Sequence, residues 1–300
     1  MMSKPAKIAI FGANGYIGRH LSRHFLGLGA SVDAFDVQPG SKVAGAAYTQ
    51  CDICDAGFWE RFEPREYGAI FFLAGLSGVE RSFLEAETFL RVNIGGLASL
   101  LRRLEPLGEA APRIVFPSSR LVYDGGTTVD ESSLRRSRSV YAASKVACEE
   151  LLSAYNARFG VPYVVLRICV PFGDVSDSGY SYGTIGFFMS NVRDGKPITV
   201  YGDGSCRKTY TSIDDVCDIA WRCVGASVPS GVYNVGGHEY TLREVAEMIC
   251  ARTGATWVSV PFPESARRVE MGSIAMDSGK LDAAIGKTEY RRLSDSIDAI

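Results

Sequence analysis

Tyr141 and Lys145 stand four residues apart in the run Tyr-Ala-Ala-Ser-Lys, a spacing that puts both on one face of a helix. A phenol with an ordinary pKa of ~10 is a weak base near neutrality, but an adjacent ammonium favours the phenolate. The pair can therefore take a proton from an alcohol or return one. Ser119, in Pro117-Ser-Ser119-Arg-Leu-Val-Tyr123, closes a strand-like run, so its hydroxyl emerges at the carboxyl edge where ligands bind in such sheets. Taken singly, Tyr-x-x-x-Lys more often marks a solvated helix face; the motifs around it give it weight.

Upstream lies a glycine-rich turn, Gly12-Ala-Asn-Gly15-Tyr16-Ile17-Gly18. Glycines there permit a tight turn and close backbone approach, and a helix opening at this point offers free N–H groups to a pyrophosphate. Asp36 follows eighteen residues after Gly18. At the end of a second strand, a carboxylate accepts hydrogen bonds from an adenosine ribose 2'-hydroxyl and repels a 2'-phosphate, which points to NAD rather than NADP.

These groups need particular elements to position them. Lys7 to Phe11, Ser31 to Phe35, Ala69 to Leu73, Arg113 to Pro117 and Tyr163 to Cys169 are apolar runs suited to strands covered on both faces. Between them Tyr16 to Gly29, Glu85 to Leu104 and Tyr141 to Phe159 carry apolar residues at helical spacing. The alternation predicts an α/β fold, a Rossmann-type doubly wound parallel sheet over residues 1–170, with ligand groups at the carboxyl ends of its strands. Residues 171–300 predict a smaller α/β substrate-binding domain closing over those ends, with part of 206–236 returning to the first domain. It opens with a Gly- and Ser-rich stretch, Gly173 to Gly186, followed by a helix at Ile185 to Asp194. Pro197 to Tyr201 and Cys206 to Ser212 read as strands joined through Gly202-Asp203-Gly204, and Asp214 to Gly225 and Thr241 to Thr253 as helices.

In this order the motifs resemble the extended short-chain dehydrogenase/reductase family, in particular its NAD-dependent nucleotide-sugar epimerase/dehydratase group. The resemblance runs along nearly the whole chain, through Cys51-Asp52-Ile53, Phe72-Leu-Ala-Gly75, Val92-Asn93, Leu166-Arg167, Val200-Tyr-Gly-Asp-Gly204, Asp214-Asp215-Val216 and Tyr233-Asn-Val-Gly236. It implies that Tyr141 is the acid/base, that Lys145 holds the nicotinamide ribose and tunes Tyr141, and that Ser119 bonds the reacting oxygen. It also implies that Asp52 and Ile53 flank the adenine, that Leu73, Ala74, Gly75 and Asn93 complete the cofactor site, and that Ser77, Lys208 and Arg267 meet a nucleotide-diphosphate sugar. A homodimer through Glu85 to Leu104 and Tyr141 to Phe159 is implied as well.

Departures narrow the reaction. Dehydratases of the group carry an Asp-Glu pair after the residue matching Ser119, whereas this chain has Arg120-Leu121. Val170 replaces an Asn that contacts the diphosphate, Lys208 replaces an Arg without its bidentate fork, and Glu270 stands where an Asp is usual. Strand alternation aims the adjacent Arg207 away from Lys208. The expectation is a 4-epimerase working through a 4-keto sugar, with a 4-ketoreductase of a 4-keto-6-deoxy sugar as the alternative and a non-catalytic dinucleotide sensor as a remote third.

Composition agrees with an enzyme of small molecules. Thirty-two basic against 34 acidic residues leave a net charge of −2, unlike a phosphate-neutralising nucleic-acid binder. No apolar run approaches the ~18 residues that span a bilayer, so no membrane partner and a cytoplasmic location are expected. Cys51 and Cys54 form a C-x-x-C with no second pair at metal spacing, so reduced thiols and no metal are expected. His20, His24 and His238 read as structural.

Overall fold

Runs of four or more apolar residues have few uses except as buried strands, and they supply the middle of the principal sheet. The computed structural model describes residues 7–174, 183–225 and 227–298. Its strands are β1 (Ile8–Phe11), β2 (Val32–Asp36), β3 (Ala47–Gln50), β4 (Ala69–Phe72), β5 (Arg113–Ser119), β6 (Gly126–Val129) and β7 (Tyr163–Ile168). They continue with β8 (Val170–Phe172), β9 (Ile198–Tyr201), β10 (Arg207–Ser212), β11 (Gly231–Asn234), β12 (His238–Thr241), β13 (Trp257–Val260) and β14 (Ile274–Met276).

The chain divides into two units. The first takes the described residues of 1–122, 137–167 and 217–233. Its sheet runs β11-β7-β5-β4-β1-β2-β3. β1 lies parallel between β2 and β4, with Phe11 level with Phe35 and Phe72, and β3 and β5 extend the sheet in the same sense. The order reverses between β1 and β4, so a crevice opens beyond their carboxyl ends. Phe11 stacks on Phe35 at 4.6 Å between centroids and anchors the core on one face.

Glu85 to Leu104, expected as one helix, is helical at Ala86–Phe89 and Gly96–Leu104 but opens into a π-turn at Leu90–Gly95. Such a turn is wider than an α-turn and is common at functional sites. The long helix Val140–Phe159 begins where the Ser139 hydroxyl accepts from the Ala142 amide, and ends at Gly160, whose φ of 79° few side-chain-bearing residues adopt.

The second unit takes the described residues of 123–136, 168–216 and 234–300. Its larger sheet runs β12-β10-β14-β6, with β8 also paired to β10, and β9 pairs in parallel with β13. The Gly202-Asp203-Gly204 turn thus joins β9 to β10 without pairing them; Arg243 holds it by donating to the Asp203 carbonyl. Thr241 caps the helix Leu242–Thr253 in a reciprocal box with Glu244. Residues 1–6, and residues 175–182 of the Gly- and Ser-rich stretch, lie outside the described residues. No described helix is long and apolar enough to cross a membrane.

Candidate active site

β1 ends at Phe11, and the chain turns at once through Gly12, whose φ is 79°. A Cβ there would fall 2.7 Å from the Ala74 amide nitrogen, so only glycine lets this loop approach the loop after β4. A Cβ on Gly18 would fall 2.2 Å from the Gly12 carbonyl; its absence lets the helix Tyr16–Gly27 start against the turn. Tyr16, Ile17 and Gly18 form that first turn, behind Gly15 at the N-cap. No side-chain hydrogen bond caps it and its first turn holds no acidic residue, so its positive end suits an anion.

A cavity of about 410 Å³ lies beyond these strand ends. Of the expected cofactor residues, Gly12, Gly15, Asp36, Asp52, Ile53, Leu73, Ala74 and Gly75 line it. Phe35, Val37, Gln38, Cys51, Leu76, Arg91 and Val92 also line it. Arg91 and Val92 come from the π-turn, a feature with no mark in the hydrophobic pattern. Asp36 holds its own surroundings: Oδ2 accepts from the Asn14 amide at 2.9 Å and Oδ1 from the Gln38 amide at 3.0 Å. Each oxygen keeps a second lone pair for a ribose hydroxyl. Burial pushes the Cys51 thiol up to about 12, so it stays protonated.

Asn93, like Tyr16, Ile17, Gly18, Tyr141 and Lys145, does not line this cavity. Its Oδ1 accepts from the Leu76 amide at 2.7 Å, and its Nδ2 donates to the Leu76 carbonyl at 3.1 Å and to the Ser144 hydroxyl at 3.0 Å. It ties the loop after β4 to the helix that carries Tyr141 and Lys145. Ser77 follows that loop at the surface.

Lys145 and Tyr141 lie where this helix packs on β5, the strand that ends at Ser119. Lys145 reaches down to donate to the Pro117 carbonyl at 2.7 Å, two residues before Ser119, and its Nζ lies 4.4 Å from the Phe116 ring centre. The same Nζ is 5.8 Å from the centre of the Tyr141 ring. Burial of the ammonium holds its pKa down to about 8, with the nearby Cys148 and Glu149 pulling the other way. Ser119 ends β5, is buried, and accepts from the Leu121 amide at 3.2 Å, which turns the chain there. Arg120 and Leu121 follow in a short 3₁₀ turn, half-buried.

In the second unit Lys208 is buried within β10, while Arg207 beside it stays partly exposed and reaches the Glu239 carbonyl. Arg267 lies on the helix Glu264–Val269, exposed, with its guanidinium 3.1 Å from Glu264. Val170 is buried in β8 and offers no hydrogen-bonding side chain.

A glycine cradle, a helix start without acidic residues, the strand-end carboxylate of Asp36 and an apolar lining suit a dinucleotide, and the sequence comparison agrees. The family model described as the NAD dependent epimerase/dehydratase family matches residues 8–236. The chain belongs to this family. A dTDP-glucose 4,6-dehydratase of Neisseria meningitidis serogroup B is 30% identical over 269 residues, covering 82% of this chain and 75% of the relative. A dTDP-L-rhamnose 4-epimerase of Burkholderia thailandensis is 27% identical over 299 residues, covering 83% and 82%. The chain also superposes on a dTDP-glucose 4,6-dehydratase of Streptomyces venezuelae, solved with NAD bound, with a TM-score of 0.84, 26% identity and coverage of 98% and 95%. Members of the NAD-dependent epimerase/dehydratase family are enzymes of the extended short-chain dehydrogenase/reductase type, and both reactions occur among these relatives.

Proposed function

We propose that the chain is an NAD-dependent 4-epimerase of a nucleotide-activated hexose, acting through a 4-keto sugar. The observation that carries this reading is the pair Arg120-Leu121 directly after Ser119. Loss of a sugar 6-hydroxyl needs an acid to protonate the leaving oxygen, and neither residue supplies one. Epimerisation needs only one proton-transfer group beside the dinucleotide.

Gly12, Gly15, Asp36, Asp52 and Ile53 would hold NAD, with Lys145 on its nicotinamide ribose. Bound NAD supplies the redox chemistry. Tyr141 takes the proton of the C4 hydroxyl while Ser119 holds the same oxygen, and Lys145 favours the phenolate that makes Tyr141 a base. After the ketone has turned over in the site, Tyr141 returns the proton from the same position. Lys208 and Arg267 are the candidates for the sugar diphosphate.

A second reading, reduction of a nucleotide-linked 4-keto-6-deoxy sugar, is favoured by Val170, which cannot make the contact that an Asn makes in relatives. One assay separates the two: the purified protein with a panel of nucleotide sugars, followed by the absorbance of reduced nicotinamide and by product analysis. Isomerisation without net change in NAD supports the epimerase; stoichiometric consumption of NADH or NADPH with a 4-keto sugar replaces it with the reductase.

A homodimer belongs to the same proposal. Leu84, just before Glu85 to Leu104, and Leu90, within it, are 87% and 44% exposed in the region that the resemblance places at a dimer contact. Light scattering on the eluting protein reads the mass directly, and a monomer at micromolar concentration removes this part.

A further inference from the structure

Asn14 stands inside the glycine loop, 4% exposed, with its amide and its whole carboxamide engaged. The amide donates to Asp36; Nδ2 donates to the Gly40 carbonyl at 2.9 Å and reaches the Tyr48 hydroxyl at 3.3 Å; Oδ1 accepts from the Lys42 amide at 2.9 Å. The Tyr48 hydroxyl donates in turn to the Gln38 carbonyl, and the Gln50 side chain donates to the Val37 carbonyl at 3.0 Å. The loop after β2 is thus fastened at Val37, Gln38, Gly40 and Lys42 by the side chains of Asn14, Tyr48 and Gln50, none of which is among the cofactor residues expected from the sequence. Val37 and Gln38 line the cavity next to Asp36, and Lys42 does not. Lys42 is also the first basic residue after Asp36.

We propose that Asn14, with Tyr48, is a specificity-determining clamp: it fixes residues 37–43 so that Val37 and Gln38 close the ribose end of the cavity while Lys42 is held off it. The site then takes a dinucleotide with a free 2'-hydroxyl and has no cation to offset Asp36 against a 2'-phosphate. Asparagine suits the position because a short side chain must donate and accept at once. Serine lacks the second donor, and aspartate has none and repels Asp36. Without the clamp the loop regains conformational freedom that dinucleotide binding must then remove, and Lys42 can swing toward the ribose. The proposal rests on the cavity being the dinucleotide site.

Calorimetric titration of the cofactor-depleted protein with NAD and with NADP tests it. In Asn14→Ala we expect NAD to bind about tenfold more weakly, as for one or two lost hydrogen bonds, and the NAD-to-NADP preference to shrink at least about fivefold. Adding Lys42→Ala to that variant restores the preference while NAD stays weak. Tyr48→Phe, which deletes only a hydroxyl, moves the preference the same way and decides the matter if Asn14→Ala fails to fold. Wild-type preference in both Asn14→Ala and Tyr48→Phe overturns the clamp while leaving the cavity assignment standing. A wild type that binds neither dinucleotide overturns both.

Discussion

Glu149 grips Arg167 with both carboxylate oxygens: Oε1 accepts from Nε at 3.0 Å and Oε2 from Nη2 at 2.6 Å, with both side chains almost wholly buried. The Ser118 hydroxyl donates to the same Oε1 at 2.5 Å. One carboxylate therefore joins β5, the helix Val140–Phe159 and β7 just behind Ser119 and Lys145. Such a pair fixes geometry more than it adds stability, because burying both charges offsets much of their attraction.

Removing one member is a different matter. Glu149→Ala leaves a guanidinium buried without its carboxylate and should cost about 3 to 5 kcal/mol in urea unfolding. The double variant Glu149→Ala with Arg167→Met should recover part of that loss, since no charge is left unpaired. Single and double variants of equal stability would show that the pair's charges are not what holds these elements.

Tyr141→Phe keeps the ring and deletes the proton carrier. Turnover on an identified nucleotide sugar should fall at least ~100-fold, the usual worth of acid/base assistance, while NAD affinity stays close to wild type. Near-normal turnover would remove Tyr141 from the chemistry.

Lys145 should make the proposed reaction sensitive to alkali. With its pKa held down to about 8, it loses its charge as pH rises through that value, and with it the field that favours the Tyr141 phenolate. Turnover should therefore decline above about 8. Lys145→Arg, whose guanidinium stays charged, should move the alkaline limb upward even if its rate is lower. Stability should follow the opposite course: between about 8 and the ordinary 10.5 the unfolded chain binds more protons at this lysine, so its contribution to stability rises with pH across that window. A rate profile unchanged by Lys145→Arg would assign the alkaline limb to another group.

Asp36 should exclude a 2'-phosphate, because a second anion beside a carboxylate in a partly dry pocket is both repelled and poorly solvated. NAD should bind at least ~10-fold more tightly than NADP, a difference of about 1.4 kcal/mol. Asp36→Ala should narrow the gap by weakening NAD and relieving NADP. Equal affinities in the wild type would mean that the carboxylate serves only the Asn14 and Gln38 amides.

The first unit was readable where one residue type had one use. Ile8 to Phe11 followed by Gly12, and Val32 to Asp36, hardly fit any arrangement but strand, turn and acid. Ser139 and Gly160 mark the ends of the helix Val140–Phe159 by their chemistry. Arg91 and Val92 were not readable as cavity residues, because helical spacing on both sides hides the π-turn that moves them. Asn14 and Glu149 escaped for another reason: their partners, Gly40 and Arg167, are distant in sequence, and only the fold brings them together. In the second unit β6 pairs with β14 across most of the remaining chain, a choice that no local pattern records.

β11 is the outermost neighbour of β7, yet β8, β9 and β10 are made between them. On a ribosome adding about 5 to 20 residues per second, the rim of β7 stays bare for several seconds after it emerges. Bare strand rims recruit other chains, and every residue of β7 is of the kind buried in the finished sheet. The nascent protein thus passes through a period of aggregation risk that ends only with residue 234. A recombinant piece stopping short of β11 would make that period permanent.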